Sequence, residues 1–211
     1  MKISLNHRIE RNEMLRHVDF LISEGEFHEA FQVWKARLRE EEIPISYDGN
    51  VVTNGGFEKK EILGGGFDWK MQSVSGAQIS SDQGVYHEGK SSLKIHFNGK
   101  ENVDFWHVYQ FVALKPNTDY LLRAHMKTNG VTTKSGVKIE VVGMGSAFHA
   151  ASESLTGDNA WKELTVSFHT PSQSQGGLVR VRREPTDKFD RFISGIVWID
   201  DFRLTERKNS Q

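Results

Sequence analysis

The sequence predicts a mainly β protein: an antiparallel β-sandwich with a short αα-hairpin at its N-terminal end. Three observations lead there. From about residue 50 onward, apolar residues alternate with polar ones in short runs, the period of a half-buried strand. Clusters of turn-forming residues separate those runs, and no helical pattern interrupts them. Over residues 12–40 the apolar spacing is helical instead.

Taken in order, Met14, Val18 and Leu21 share one face of a first helix. Ala30, Trp34 and Leu38 form an i, i+4, i+8 stripe on a second, widened by Phe27 and Phe31. Gly25 between them suits the left-handed conformation that ends a helix. A lone helix pair buries its apolar face poorly and must lean on something else. NGGFE at 54–58 opens the β region. In SSLKIHF (91–97), Leu93, Ile95 and Phe97 share a face, as do Tyr120, Leu122, Ala124 and Met126 in DYLLRAHMKT (119–128). Further strands fit GVKIEVVG (136–143), WKELTVSFHT (161–170), GGLVRVRRE (176–184) and GIVWIDDFRL (195–204). Turns are expected at KPNT (115–118), TNG (128–130), TGDN (156–159) and PSQSQGG (171–177). The organisation read from this is a hairpin at 1–46, a sandwich at 47–207 and a tail at 208–211.

Composition narrows the function. Lys and Arg total 27 against 28 Asp and Glu, so there is no basic footprint for nucleic acid. With no cysteine, disulfides, thiolate metal sites and cysteine nucleophiles are excluded. No apolar run approaches the ~20 residues that span a bilayer, so membrane insertion by this segment is not expected. MKISLNHRIER has no apolar core of a signal peptide. Sequence signatures of a nucleophile elbow, a HExxH zinc site, a Walker loop or a dinucleotide fold are absent, and the expectation is a protein without catalytic residues.

The β region carries, in order, NGGFE, Trp69, HEGKSSL (87–93), Q-x-V-x-L-K-P-N-T-x-Y (110–120), NAWK (159–162) and WIDDFRL (198–204). This succession, over about residues 50–206, resembles the galactose-binding-like jelly roll, closest to the non-catalytic carbohydrate-binding modules attached to xylanases and laminarinases. The resemblance implies a polysaccharide or oligosaccharide partner and an extracytoplasmic or cell-envelope setting, within a larger envelope or exopolysaccharide-associated protein. It also implies a structural calcium ion tying the first strand to the last. Its ligands would be the carboxylates of Glu58 and Asp200 and the main-chain carbonyls of Gly56, Glu88 and Ser91, and calcium takes 6–8 such hard oxygens. The bland alternative is that Glu58 caps a turn and Asp200 is an ordinary strand residue. The hairpin, through G-E-F-x-E-A at 25–30, resembles a single tetratricopeptide repeat, which implies packing or docking to a protein partner.

The short KPNT link predicts that VDFWHVYQFVAL (103–114) pairs antiparallel with DYLLRAHMKT. Val108, Val112 and Leu114 then face the core. Phe105, His107, Tyr109 and Phe111 share the other face with Arg123, His125 and Lys127. By the same parity Arg180 and Arg182 turn outward while Val179 and Val181 turn inward. Trp106 has core parity, and Trp69 suits either core or rim. Aromatic faces pair with the flat CH faces of sugar rings, and Arg and His with their hydroxyls, so this face is the candidate glycan groove. The competing reading is a scaffold domain whose sheet face is covered by the hairpin or a partner.

Overall fold

The computed structural model describes residues 10–44, 49–145 and 147–207; the expected tail at 208–211 and the boundary at 46/47 lie outside them. The helical spacing produces α1 (Arg11–Ser23) and α2 (Phe27–Glu40), joined through Gly25 at φ +85°. Met14, Val18, Leu21, Phe27, Ala30, Trp34 and Leu38 are all buried. Ten strands follow: β1 (Lys70–Met71), β2 (Ala77–Asp82), β3 (Ser92–Asn98), β4 (Phe105–Ala113), β5 (Asp119–Val131), β6 (Lys138–Met144), β7 (His149–Ala151), β8 (Gly157–His169), β9 (Gly176–Arg183) and β10 (Ser194–Glu206).

They form two five-stranded antiparallel sheets packed face to face, in orders β1-β4-β9-β6-β7 and β2-β3-β10-β5-β8. The sandwich is therefore the one the alternation predicts. Residues of matching parity fill its interior, among them Leu93, Ile95, Val108, Val112, Leu122, Met126, Val179 and Val181. Trp69 belongs to this core, packed on Phe57 and Phe202.

Three local expectations fail. KPNT is not a hairpin turn: β4 and β5 lie in different sheets, and the link arches between them. Leu114 and Tyr120 at its two ends are both buried in the space between the sheets, and Lys115 N–H donates to the Tyr120 hydroxyl. TNG is not a turn either, because β5 runs through it with register shifts on its β8 side, and TGDN is not one because β8 already begins at Gly157 and pairs with β5 there.

Candidate functional site

The outer face of the first sheet carries a row of side chains set by register. Lys70 on β1 lies opposite Tyr109 on β4, which lies opposite Arg180 on β9, which lies opposite Glu140 on β6. Along β4 the aromatic rings form a strip: Trp106 stacks on His107 at 4.6 Å, and Tyr109 meets Phe111 edge-on at 5.6 Å. Gln72 Nε2 reaches the Tyr109 hydroxyl at 3.4 Å. Burial holds the His107 imidazole below its ordinary pKa, so at neutral pH it offers one donor and one acceptor.

Glu140 is the electrostatic centre of this face. Its side chain is 1% exposed, receives a hydrogen bond from Arg180 Nε, and lies 2.9 Å from His149 Nε2. Arg182 bonds to Asp104 and to the Phe105 and Arg183 carbonyls. The guanidinium planes are thus fixed before any ligand arrives, which lowers the entropy cost of binding. Arg180 stays 24% exposed.

The structure brings together His107, Tyr109, Arg180 and Arg182, but not Phe105, Arg123 or His125. A register shift between Phe105 and Val108 inserts an extra residue. Phe105 therefore turns inward and is fully buried, whereas Trp106 turns out, 40% exposed. Arg123 and His125 lie on β5, in the opposite sheet, because KPNT crosses between sheets. Glu140 and His149 were missed, since a strand pattern does not say which strands become neighbours.

The hairpin covers one end of the same face. Phe27 meets Phe111 edge-on at 6.2 Å, and His28 Nε2 lies 3.0 Å from the Leu114 carbonyl. Gly176 is required under the hairpin, because a Cβ there would stand 2.1 Å from the Phe27 ring. The cover reaches Phe111 and Ala113. A cleft of about 540 Å³ separates α2 from the sandwich edge at residues 49–56.

Glu58 and Asp200, from opposite ends of the β region, converge on Gly56. A Cβ on Gly56 would lie 3.6 Å from Asp200 Oδ1 and 3.9 Å from Glu58 Oε1. Glu58 Oε1 accepts from the Lys90 and Ser91 amides at 2.9 and 3.3 Å. Asp200 Oδ2 accepts from the His87 and Glu88 amides at 2.8 and 3.2 Å, and Oδ1 from Asp201 at 2.8 Å. A side chain at Gly89 would collide with Glu58 Oε1. Asp200 is fully buried, and burial, with Asp201 adding to it, pushes its pKa up to about 6. Two carboxylates drawn to one point, bonded here by amides and not by basic side chains, keep lone pairs for a hard cation. The residues fit calcium.

Residues 49–188 match the family model of a carbohydrate binding domain. Among curated proteins, the tRNA(Glu)-specific nuclease WapA of Bacillus subtilis subsp. natto is 24% identical over 168 residues, covering 76% of this chain and 7% of that protein. The chain thus spans a small fraction of that relative. Among solved structures, the CBM22-1 xylan-binding domain from Paenibacillus barcinonensis Xyn10C superposes with a TM-score of 0.50 at 16% identity, covering 74% of this chain and 94% of that one. A putative sugar binding protein from Bacteroides thetaiotaomicron gives 0.53 at 12% identity, covering 75% and 100%. These structural likenesses speak to the fold.

Proposed function

The chain belongs to the carbohydrate binding domain family, and we propose that it is a non-catalytic glycan-binding module whose site is the outer face of the first sheet. One observation carries this reading: the Tyr109–Arg180–Glu140 row, with Trp106 and His107 beside it, lies beyond the end that the hairpin covers. A sugar ring stacks on Tyr109 or Trp106 while Arg180, Arg182 and neutral His107 bond its hydroxyls. A hydrolase would need two carboxylates facing across a groove at ~5–9.5 Å. The carboxylates near this face are engaged instead: Asp104 with Arg182, Glu184 with Lys138, Glu140 with Arg180. The size of the curated relative supports a module within a larger protein, placed by the resemblance in an envelope or exopolysaccharide system.

On a polysaccharide array the chain retains at least one glycan class. Tyr109→Ala weakens that binding by about tenfold or more, since a stacked ring is worth roughly 1 kcal/mol beyond its buried area. An array blank for every class would remove the reading and favour the scaffold alternative.

Calcium, held by Glu58 and Asp200 with the carbonyls of Gly56, Glu88 and Ser91, would neutralise the buried charge and tie residues 56–58 to β10. In chelator, Asp200 binds more protons folded than unfolded between pH 4 and 6, because its folded pKa is about 6 against an ordinary 3.8. Its contribution to stability therefore falls as pH rises through that window. The melting midpoint of the parent minus that of Asp200→Asn should decline from pH 4 to 6 in chelator. In millimolar calcium, which binds the ionised form, the same difference should rise. Identical curves in both media would remove the ion.

A further inference from the structure

On the outer face of the second sheet, away from the glycan face, three side chains converge that the proposed function does not use. His87 precedes β3, His125 lies mid-β5, and Asp201 sits in β10. His87 Nδ1 lies 2.6 Å from Asp201 Oδ2, and His125 Nδ1 lies 3.7 Å from the same oxygen. The two imidazoles stack at 3.7 Å, 11° from parallel, so both Nδ1 atoms address one carboxylate. One ligand atom from each residue can be chosen so that all three lie within 4.8 Å of one another.

The backbone is bent to make this cluster. β10 loses its register against β5 between Asp200 and Arg203, and Asp201 there has φ +54°, a strained value for a residue with a side chain. Asp200 pairs with His125 and is buried under the His87 and Glu88 amides, and the extra residue of the bulge brings Asp201 to the histidines as well, while Phe202 returns to the core. A second observation points to an absent partner. His125 Nδ1 is buried and has no hydrogen-bond partner among the described residues. An orphaned ring nitrogen 3.7 Å from a carboxylate already bonded to another imidazole lacks the atom that would join all three.

We propose that His87, His125 and Asp201 form a binding site for a borderline divalent transition metal such as Zn²⁺. Neutral imidazole nitrogens with one carboxylate suit zinc, cobalt or nickel and disfavour calcium, which prefers oxygen. Zinc bonds of about 2.0–2.2 Å need donor atoms roughly 3.3 Å apart, and because the two rings stack 11° from parallel, one imidazole must rotate out of the stack for both in-plane lone pairs to meet one ion. Three protein ligands leave the fourth position to water. Side chains 12–27% exposed give the ion an entry path. Glu163 lies opposite His125 in the β5–β8 register, adding negative charge beside the cation. The bound metal would pin the 87–91 loop to the β10 bulge, the same loop whose amides hold Asp200 and Glu58. Trp161, edge-on to His87 at 5.6 Å, is a built-in reporter.

The test is titration of the untagged full chain with ZnCl₂ in saturating calcium by calorimetry, followed by Co²⁺ absorption and by Trp161 quenching with Ni²⁺. One equivalent of Zn²⁺ is expected, with the visible bands of a four-coordinate cobalt site. His87→Gln and His125→Gln should each weaken binding by more than about tenfold, since even an outer-shell partner of a metal ligand is worth 10–100-fold. Both should keep the parent's melting midpoint in chelator, which separates lost binding from lost folding. Tyr109→Ala should leave zinc binding unchanged. Zinc binding that survives both histidine substitutions places the ion elsewhere among the nine histidines and overturns the proposal, as does no binding by the parent.

Discussion

Arg183→Ala should lower the melting midpoint by on the order of 10 °C, one of the two largest single losses expected in this molecule. Arg183 ends β9 with core parity, and its side chain is fully buried. The guanidinium is the hub of three segments. Nη1 donates to Asn102 Oδ1 at 2.8 Å and to the Val103 carbonyl at 2.6 Å; Nε donates to the Ser135 carbonyl at 3.3 Å; Nη2 donates to the Arg191 carbonyl at 2.8 Å. Burial lowers its pKa from the ordinary value, against which Asp104 pulls through space, but an arginine stays charged. Truncation leaves buried acceptors unmatched at about 1–3 kcal/mol each and opens a cavity, so a total of about 3–5 kcal/mol is expected. Thermal melting monitored by circular dichroism measures it. Arg183→Met, which keeps most of the volume, should recover only a minor part, because the cost lies in the orphaned oxygens. Full recovery by methionine would mean that packing and not hydrogen bonding dominates there.

The parity argument that turns Arg180 and Arg182 outward turns Arg183 inward, where a charge is unexpected until the loops it anchors are seen. That contrast marks how far the sequence was legible. Each strand's inward face could be read from alternation, since one buried side imposes a period of two. The helices were legible from their stripes. Sheet membership was not: KPNT can close a hairpin or bridge two sheets, and the choice depends on partners distant in the chain. Arg123 and His125 were misplaced for this reason. Bulges were equally silent, and one of them exchanges Phe105 for Trp106 at the site. The other places Asp201 beside His87 and His125, three residues that no spacing rule connects. Of the proposed glycan face, His107, Tyr109, Arg180 and Arg182 came from parity alone. Glu140 and His149, which complete its charge balance, depend on β6 lying next to β9 and β7 next to β6.

Trp34→Ala should detach the hairpin while leaving the sandwich folded, at a cost of about 3–5 kcal/mol to the hairpin's docking. Trp34 is completely buried between α1, α2 and the 62–67 loop. Its ring stacks near Phe31 at 6.2 Å and meets Phe67 edge-on at 5.9 Å, and Nε1 donates to the Gly65 carbonyl at 3.1 Å. Gly66, at φ +60°, admits the ring so closely that a Cβ would stand 2.7 Å from it. The cluster this ring anchors is separate from the core between the two sheets. Loss of the ring should therefore cost the first cluster its stability and spare the second. Hydrogen exchange distinguishes the outcomes: protection should fall across residues 11–40 and 62–67 and persist in β3, β5, β9 and β10. Uniform loss of protection would mean that hairpin and sandwich fold as one unit. The substitution also tests whether the hairpin borders the proposed groove or contributes to it. A detached hairpin uncovers Phe111 and Ala113, extending the aromatic strip that continues from Tyr109. If the hairpin only borders the groove, glycan affinity in Trp34→Ala stays level or rises; if glycan binding needs residues of the hairpin itself, it falls together with the lost protection.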